Sequence, residues 1–418
     1  MNSYIHDYLW HGYVPPRDVP EWFTEALTQS VAQGAEYSLE GAAKELDKLF
    51  DNLVPKTNGP HLVPLSGGWD SRLVLGALME RAEDVQTISL GARGQLDYEV
   101  GRKISRSLNL THHKLDLSDF NLNWEDLIHA ASIAPWIYMP DALFMNHMYE
   151  KGIEKSGART IWSGFLGEAL TGGHYQPSHS HETLALAQKN FARSQRKCPD
   201  NLLSSHELYA RYPDMPFPLY PVINCREFLD LNIRQRGCVA KIALGHDWTG
   251  WNSDQGNISL STRLVAPFTD EGWARYWLNA PRKHHERQQL YRQMAEYRFP
   301  KLFRLPSKYS WGAAPSSRIL QSVCRFQFKM RNKLHARFPF LPIGSNLKTN
   351  YIDFQRAFRK REDYIIIAHK AINYLMEWDK WLADEFEGAL KEHKRGSKDN
   401  HQALLILVGL SANLCANA

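Results

Sequence analysis

His61-Leu62-Val63-Pro64-Leu65-Ser66-Gly67-Gly68-Trp69-Asp70-Ser71 is the stretch whose reading decides the fold. Its first half is a short apolar run, as in a strand covered on both faces. Its second half is small, polar and glycine-rich, and residues 72–81 then read as helix. Strand, tight loop and helix open a parallel α/β unit, whose ligands meet the carboxyl edge of the sheet. Gly67 and Gly68 let the backbone turn sharply and approach a ligand. Backbone N–H groups of such a loop, with the helix N-terminus after it, form an anion cradle. Ser66 and Ser71 add hydroxyl donors to phosphate oxygens. Asp70 repels bare phosphate, so its place there implies an intervening cation, most simply Mg²⁺. Arg72 either adds a positive charge or faces solvent. No GxxxxGK[ST] run is present, which disfavours transfer of a γ-phosphate. A plain strand–turn–helix joint is the alternative reading of the same residues.

Working outward, residues 85–90 read as a second strand, 97–108 as a helix, 111–117 as a strand, and 160–162 as a strand ending in Ser163-Gly164. Alternating strands and helices predict a parallel sheet covered on both faces. Residues 38–53 carry apolar side chains at helical spacing, and Gly12 to Pro16 is a rigid extended turn. From about residue 178 the chain reads mostly helical, broken by the proline-rich stretch 212–221. The tail from residue 350 reads as charged helix, with 356–363 a largely solvated charge cluster and 403–410 a buried helix face. These readings divide the chain into a lead-in (1–58), an α/β synthetase-type domain (59–320) and a helical extension (321–418).

The 418 residues are 43% hydrophobic and 23% charged, the composition of a soluble globular protein with a sizeable core. A net charge of +5 suits an anionic small ligand and predicts no nucleic-acid partner. The five cysteines include no CxxC pair, which argues against a disulfide framework or zinc site and makes a reducing cytoplasm the expected location. The N-terminus lacks the pattern of a signal peptide, and no apolar run reaches the ~18 residues of a membrane span.

In order along the chain, four further segments join the first. They are Thr87 to Gly91 followed by Asp97; Ser163-Gly164-Phe165-Leu166-Gly167-Glu168-Ala169-Leu170-Thr171-Gly172-Gly173; Arg263-Leu264-Val265-Ala266-Pro267-Phe268-Thr269-Asp270; and Arg304-Leu305-Pro306-Ser307-Lys308-Tyr309-Ser310-Trp311-Gly312. With Leu65 to Ser71 they resemble the PP-loop ATP pyrophosphatases, specifically the synthetase domain of asparagine synthetases, shared by beta-lactam synthetases and lasso-peptide cyclases. The resemblance implies an adenine nucleotide alpha hydrolase-like α/β domain, a parallel-sheet PP-loop fold, with a helical C-terminal half. It implies ATP and Mg²⁺, with Leu65, Ser66, Gly67, Gly68, Trp69, Asp70 and Ser71 gripping the pyrophosphate. Leu90 would lie near the adenine, and Ser163 and Gly164 would complete the nucleotide site. Asp70 and Glu168 would hold the metal, and Lys308 would stabilise charge on the phosphates and the tetrahedral intermediate. A carboxylate would attack the α-phosphorus to give an acyl-adenylate and pyrophosphate, and an amine or ammonia would then displace AMP.

This sequence departs from the family pattern at several places. Glu168 stands where the family has its metal-site aspartate, and Ala169 replaces the next acid. Phe165 replaces the acid that asparagine synthetases carry after Ser-Gly, which counts against free ammonia or aspartate as substrate, so the expected acyl substrate is either aspartate or a sugar-acid, peptide or other natural-product carboxylate. Arg263 stands two residues before the place of the family's arginine, where this chain has Val265. Asn2 replaces the family's glutaminase cysteine, so nitrogen is expected from free ammonia, a separate glutaminase subunit or a substrate amine. A tRNA-base-modifying PP-loop enzyme and a degenerate nucleotide-binding partner subunit are the rival functions.

Other constellations are weaker. His112-His113 point to opposite faces of a strand, which disfavours a metal pair. His174, His179 and His181 suit a mobile active-site loop better than zinc. Trp136, Tyr138 and Asp141 line either an acyl site or the core, and Arg234 and Arg236 either meet an anionic substrate or form surface ion pairs. Residues 325–337 interleave cations with aromatics, a pattern for an amphipathic, partly buried helix or for contact with RNA, acidic lipid or an acidic partner.

Overall fold

In the computed structural model five parallel strands form one sheet in the order β3-β2-β1-β4-β5. The residues it describes are 5, 8, 9, 36–117, 120–133, 151–173, 262–338 and 352–417. The strands are β1 (His61–Pro64), β2 (Val85–Gly91), β3 (His112–Asp116), β4 (Thr160–Trp162) and β5 (Arg263–Val265). Register runs His61 beside Val85 and Thr160, and Thr160 beside Arg263. From β1 the chain moves outward on one side to β2 and β3, then returns across β1 to place β4 and β5 on the other. The strand order therefore reverses between β1 and β4, and loops leaving their carboxyl ends diverge there to leave room for a ligand.

Helix α1 (Leu39–Leu53) begins at Ser38, whose hydroxyl accepts from the Gly41 N–H at 3.0 Å. Its face of Ala42, Leu46, Leu49, Phe50 and Leu53 is buried in the core. The sheet is flanked by α2 (Asp70–Met79) and α3 (Leu96–Ser107), and α4 (Trp124–Ile133) packs against the last helix of the chain. The helices that follow include α5 (Gly167–Leu170), α6 (Glu271–Leu278), α7 (Gln289–Arg298) and α8 (Pro300–Phe303). Helix α1 packs on α7. On its polar side Asp47 accepts from Arg81 at 2.7 Å and from Arg298 at 3.0 Å, joining three elements.

Helix α9 (Arg318–Arg337) is followed by α10 (Phe354–Lys360), α11 (Glu362–Trp378), α12 (Lys380–Arg395) and α13 (His401–Ala416). Helix α13 is buried from Ala403 to Leu414, as a helix apolar on all sides must be, and packs against α4 and α11. The Ser411 hydroxyl donates to the Ala371 carbonyl at 3.0 Å.

Two expectations are corrected. The 356–363 cluster is not simply solvated: Arg361 pairs with Asp363 at 2.8 Å and donates to the Asn121 side chain at 3.4 Å, while Asp363 accepts from the Leu122 N–H at 3.1 Å. Charges there anchor the C-terminal helices to the segment before α4. The 325–337 stretch is helical but not buried along its apolar side: Phe326 is 65% exposed. His112 and His113 do face opposite ways. His112 Nδ1 is hydrogen-bonded to Thr87 Oγ1 at 2.9 Å and His113 Nε2 to Gln86 Oε1 at 2.8 Å. The expectations for 134–150 and 174–261, which include Trp136, Tyr138, Asp141, the three loop histidines, Arg234 and Arg236, fall outside the described residues.

Candidate active site

Leu65 continues the sheet, donating its N–H to the Ile88 carbonyl at 2.8 Å and accepting from the Ser89 hydroxyl at 2.7 Å. The backbone then turns over the carboxyl end of β1. Ser66 Oγ accepts from the Gly68 N–H at 3.1 Å and lies 3.1 Å from Ser71 Oγ, which in turn accepts from the Ser66 N–H at 3.2 Å. The two hydroxyls thus brace the loop from within. Trp69 leads into α2, whose first residue is Asp70 and whose N-terminus has no side-chain cap among the described residues.

The glycines permit two close approaches. A Cβ at Gly67 would lie 3.1 Å from Lys308 Cβ and 3.2 Å from Asp97 Oδ1. A Cβ at Gly164 would lie 2.6 Å from the Ser71 nitrogen. The loop after β4 therefore packs directly on the start of α2. Ser163 is buried and holds that loop to β5 by donating its N–H to the Val265 carbonyl at 2.8 Å. Leu166 is left-handed (φ 71°), a conformation that Leu adopts at a cost of about 1–3 kcal/mol. It starts the short helix α5 and turns the Glu168 N–H toward Asp70.

Asp70 is gripped at both oxygens: Oδ2 accepts from the Glu168 N–H at 2.9 Å and Oδ1 from the Tyr291 hydroxyl at 2.7 Å. Burial pushes its pKa up to about 7, the Tyr291 hydrogen bond opposes that, and the nearby Glu168 charge adds to it. Tyr291 is fully buried and held well above the ordinary phenol range, so it remains a donor. Asp70, whose proton affinity the Glu168 charge raises, is with Glu168 a pair of hard oxygen donors. Mg²⁺ is commonly held by one or two carboxylates plus phosphate oxygens, so Asp70 and Glu168 fit it. Among the described residues no group of three or more His, Cys, Asp or Glu could hold a metal without such help.

Lys308 closes the loop from the opposite side. Its N–H donates to the Gly67 carbonyl at 3.0 Å, and its Nζ lies 3.9 Å from Asp97 Oδ1. A Cβ on Gly68 would sit 3.6 Å from that Nζ, so the ammonium stands over the glycine pair. Asp97 also accepts from the Gly67 N–H at 2.9 Å. Burial raises its pKa, and the Lys308 charge counters the rise.

Arg72 neither faces solvent nor offers a charge to a ligand. It is 2% exposed, and its guanidinium donates to the carbonyls of Pro306 at 2.7 Å, Leu305 at 3.2 Å and Leu302 at 3.4 Å. Desolvation lowers its pKa to about 10. Arg72 thereby joins α2 to the turn that presents Lys308. Arg263 cannot stand in for the arginine of the P-F-x-D segment: it begins β5, at the sheet edge opposite the loop, and donates to the Lys56 carbonyl at 3.0 Å.

Sequence reasoning brought together Leu65 to Ser71, Ser163, Gly164, Glu168 and Lys308, and the fold does gather them. Leu90 lies near the end of β2, buried, level with Leu115 of β3. Three residues were missed as contributors. Asp97 entered only as a marker, and its spacing from Gly67 carries no signal that they meet. Tyr291 and Arg292 lie on α7 without any motif. Arg292 stands between the Trp69 ring at 5.7 Å and the Tyr309 ring at 5.3 Å. Its buried Nε has no hydrogen-bond partner among the described residues.

No curated protein matches the chain. Residues 45–307 match the family model described as asparagine synthase, a span that covers well over half of the 418 residues and runs from α1 to the turn before Lys308. With an α/β parallel sheet, a glycine loop at its switch point and an acid pair behind that loop, the chain belongs to the asparagine synthase family.

Proposed function

We propose that this chain makes an amide by adenylating a carboxylate with ATP, releasing pyrophosphate, and passing the acyl group to an amine with loss of AMP. The observation that carries this reading is the convergence at one loop of Lys308, which stands over Gly67 and Gly68, and of Asp70 at the start of α2, which is held by the Glu168 N–H. Small residues there admit a diphosphate, Lys308 offers it a positive charge, and the two acids would meet it through Mg²⁺.

The chain's own residues would share the work. The loop N–H groups and the start of α2 bind the phosphates and align the α-phosphorus for in-line attack. Lys308 meets charge that builds on the leaving diphosphate and on the tetrahedral intermediate. Tyr291 fixes the Asp70 carboxyl, leaving each of its oxygens a lone pair for metal. Asp70 and Glu168 would hold Mg²⁺, which when bound neutralises phosphate charge. Phe165 is buried where asparagine synthetases carry an acid. An apolar ring accepts no proton, which favours an amine that arrives uncharged over aspartate amidation by ammonium.

The test is pyrophosphate and AMP release from ATP and Mg²⁺ across a panel of sugar acids, peptide acids and aspartate, with ammonia or amines supplied. AMP with pyrophosphate supports the proposal, whereas ADP with phosphate overturns it. No nucleotide turnover with any acid, together with measurable ATP binding, favours a non-catalytic nucleotide-binding subunit.

A further inference from the structure

Helix α9 presents its apolar side to solvent. Ile319 (80% exposed), Val323, Phe326 (65%), Met330 and Leu334 recur every three or four residues and form one stripe along its length. Leu320 widens it. The opposite side is the one turned toward the protein: Gln321, Cys324, Phe328 and Asn332 are half-buried, and Phe328 meets the Trp311 ring at 4.9 Å. This inverts the arrangement of an ordinary surface helix.

Charge indicates what covers the stripe. Residues 318–337 contain Arg318, Arg325, Lys329, Arg331, Lys333 and Arg337, and no Asp or Glu. At helical spacing Lys333 and Lys329 follow one edge of the stripe, with Arg318 next beyond them, and Arg331 lies on the other side. Two copies paired stripe to stripe would set rows of cations together with no acid from either helix to answer them. A nucleic acid would answer the cations and leave Ile319, Val323 and Phe326 in water. An anionic bilayer answers both: headgroup phosphates meet the edges, and the acyl boundary takes the stripe.

We propose that α9 is a membrane-surface anchor that lies in the interface of an anionic lipid bilayer. It spans nothing, since no described helix is long and apolar enough to cross. A 20-residue helix lying flat offers about 30 Å of contact. Trp311, which holds α9 through Phe328 and lies 5.9 Å from the Arg325 guanidinium, belongs to the turn carrying Lys308. Anchoring would keep the nucleotide loop beside the bilayer, whatever carboxylate it activates.

Flotation of the full chain with phosphatidylcholine vesicles, with and without phosphatidylglycerol, tests this. Binding is expected to the anionic vesicles alone and to weaken as salt rises. Lys329→Glu/Lys333→Glu is expected to lower partition at least about tenfold, since each cation near the surface contributes roughly fivefold. Phe326→Ser is expected to lower it about tenfold or more by removing a buried ring. All these side chains are exposed, and an unchanged thermal melt confirms that each variant folds. Failure to float, or equal partition into neutral vesicles, overturns the proposal. Binding that survives Phe326→Ser but not the charge reversal also overturns it, by reducing the contact to plain charge attraction. A concentration-dependent dimer abolished by Phe326→Ser would assign the stripe to a second copy instead.

Discussion

Arg72→Met removes a cation that touches no ligand, yet it is expected to cost both stability and turnover. Three carbonyls, those of Leu302, Leu305 and Pro306, lose a charged donor. The Pro306 bond at 2.7 Å is the strong one, and those at 3.2 and 3.4 Å are weaker. An orphaned buried carbonyl costs about 1–3 kcal/mol. Removing the guanidinium also removes its own desolvation, seen in a pKa lowered to about 10, which offsets part of that loss. The net expectation is about 2–4 kcal/mol of destabilisation, read as a lower urea midpoint with unchanged slope. Methionine fills most of the same space, so the loss is polar rather than a cavity. Arg72→Lys keeps the charge and one donor direction, and is expected to recover about half. The turn released by the substitution carries Lys308, whose N–H pins Gly67. A displacement of about 1 Å there is expected to lower kcat for pyrophosphate release about 100-fold. Wild-type urea midpoint and wild-type turnover in Arg72→Met would refute the tether.

Four further outcomes are expected. Gly164→Ala drives a methyl to 2.6 Å from the Ser71 backbone nitrogen, which cannot give way as a side chain would, and should abolish nucleotide binding in calorimetry even if the chain still folds. Asp70→Asn should reduce pyrophosphate release at least about 1,000-fold while leaving the thermal melt near wild type; normal turnover would remove Asp70 from the metal site. Burial lowers the His285 pKa to about 4, so the unfolded chain binds a proton there between roughly pH 6.5 and 4 that the folded chain refuses. Its contribution is complete above pH 6.5 and is lost on acidification toward 4 by at most about 1.4 kcal/mol per pH unit, a slope that His285→Gln should flatten in urea titrations. Asp47 is lowered too, for a different reason: burial raises its pKa, but Arg298 and Arg81 together hold it below the ordinary value. That stability is present above about pH 4 and lost as pH falls through the folded value, so Asp47→Asn should lower the midpoint at pH 7 and narrow the gap at pH 3.

Strand β1, the loop and α2 were readable because their signals are local: an apolar run, two glycines and helical spacing, all within neighbouring residues. The same holds for β2 to β4 and for α13, whose uninterrupted apolar surface demands burial. Glu168 and Lys308 were found through the order of segments along the chain. Strand β5 was not recognised as a strand, because Arg263 to Val265 is too short to show a period. Arg72 was misread because its partners are backbone carbonyls 230 to 234 residues away, and a carbonyl has no letter in the sequence. The apolar side of α9 was expected to lie against the protein, since periodicity shows that a face exists and not which way it turns.

By itself the sequence determined the parallel α/β class and the glycine-rich loop after β1, because both depend on residue types at short spacing, and it singled out Asp70, Glu168 and Lys308 as candidates beside that loop. Only the tertiary structure decided that Tyr291 and the Glu168 N–H both grip Asp70, that Asp97 and Lys308 pin Gly67 from two sides, and that Arg72 works as a buried tether. Those contacts join α2, α3, α5, α7 and the turn after α8, elements far apart along the chain. Their meeting is set by how helices pack on a twisted sheet, which no local pattern encodes.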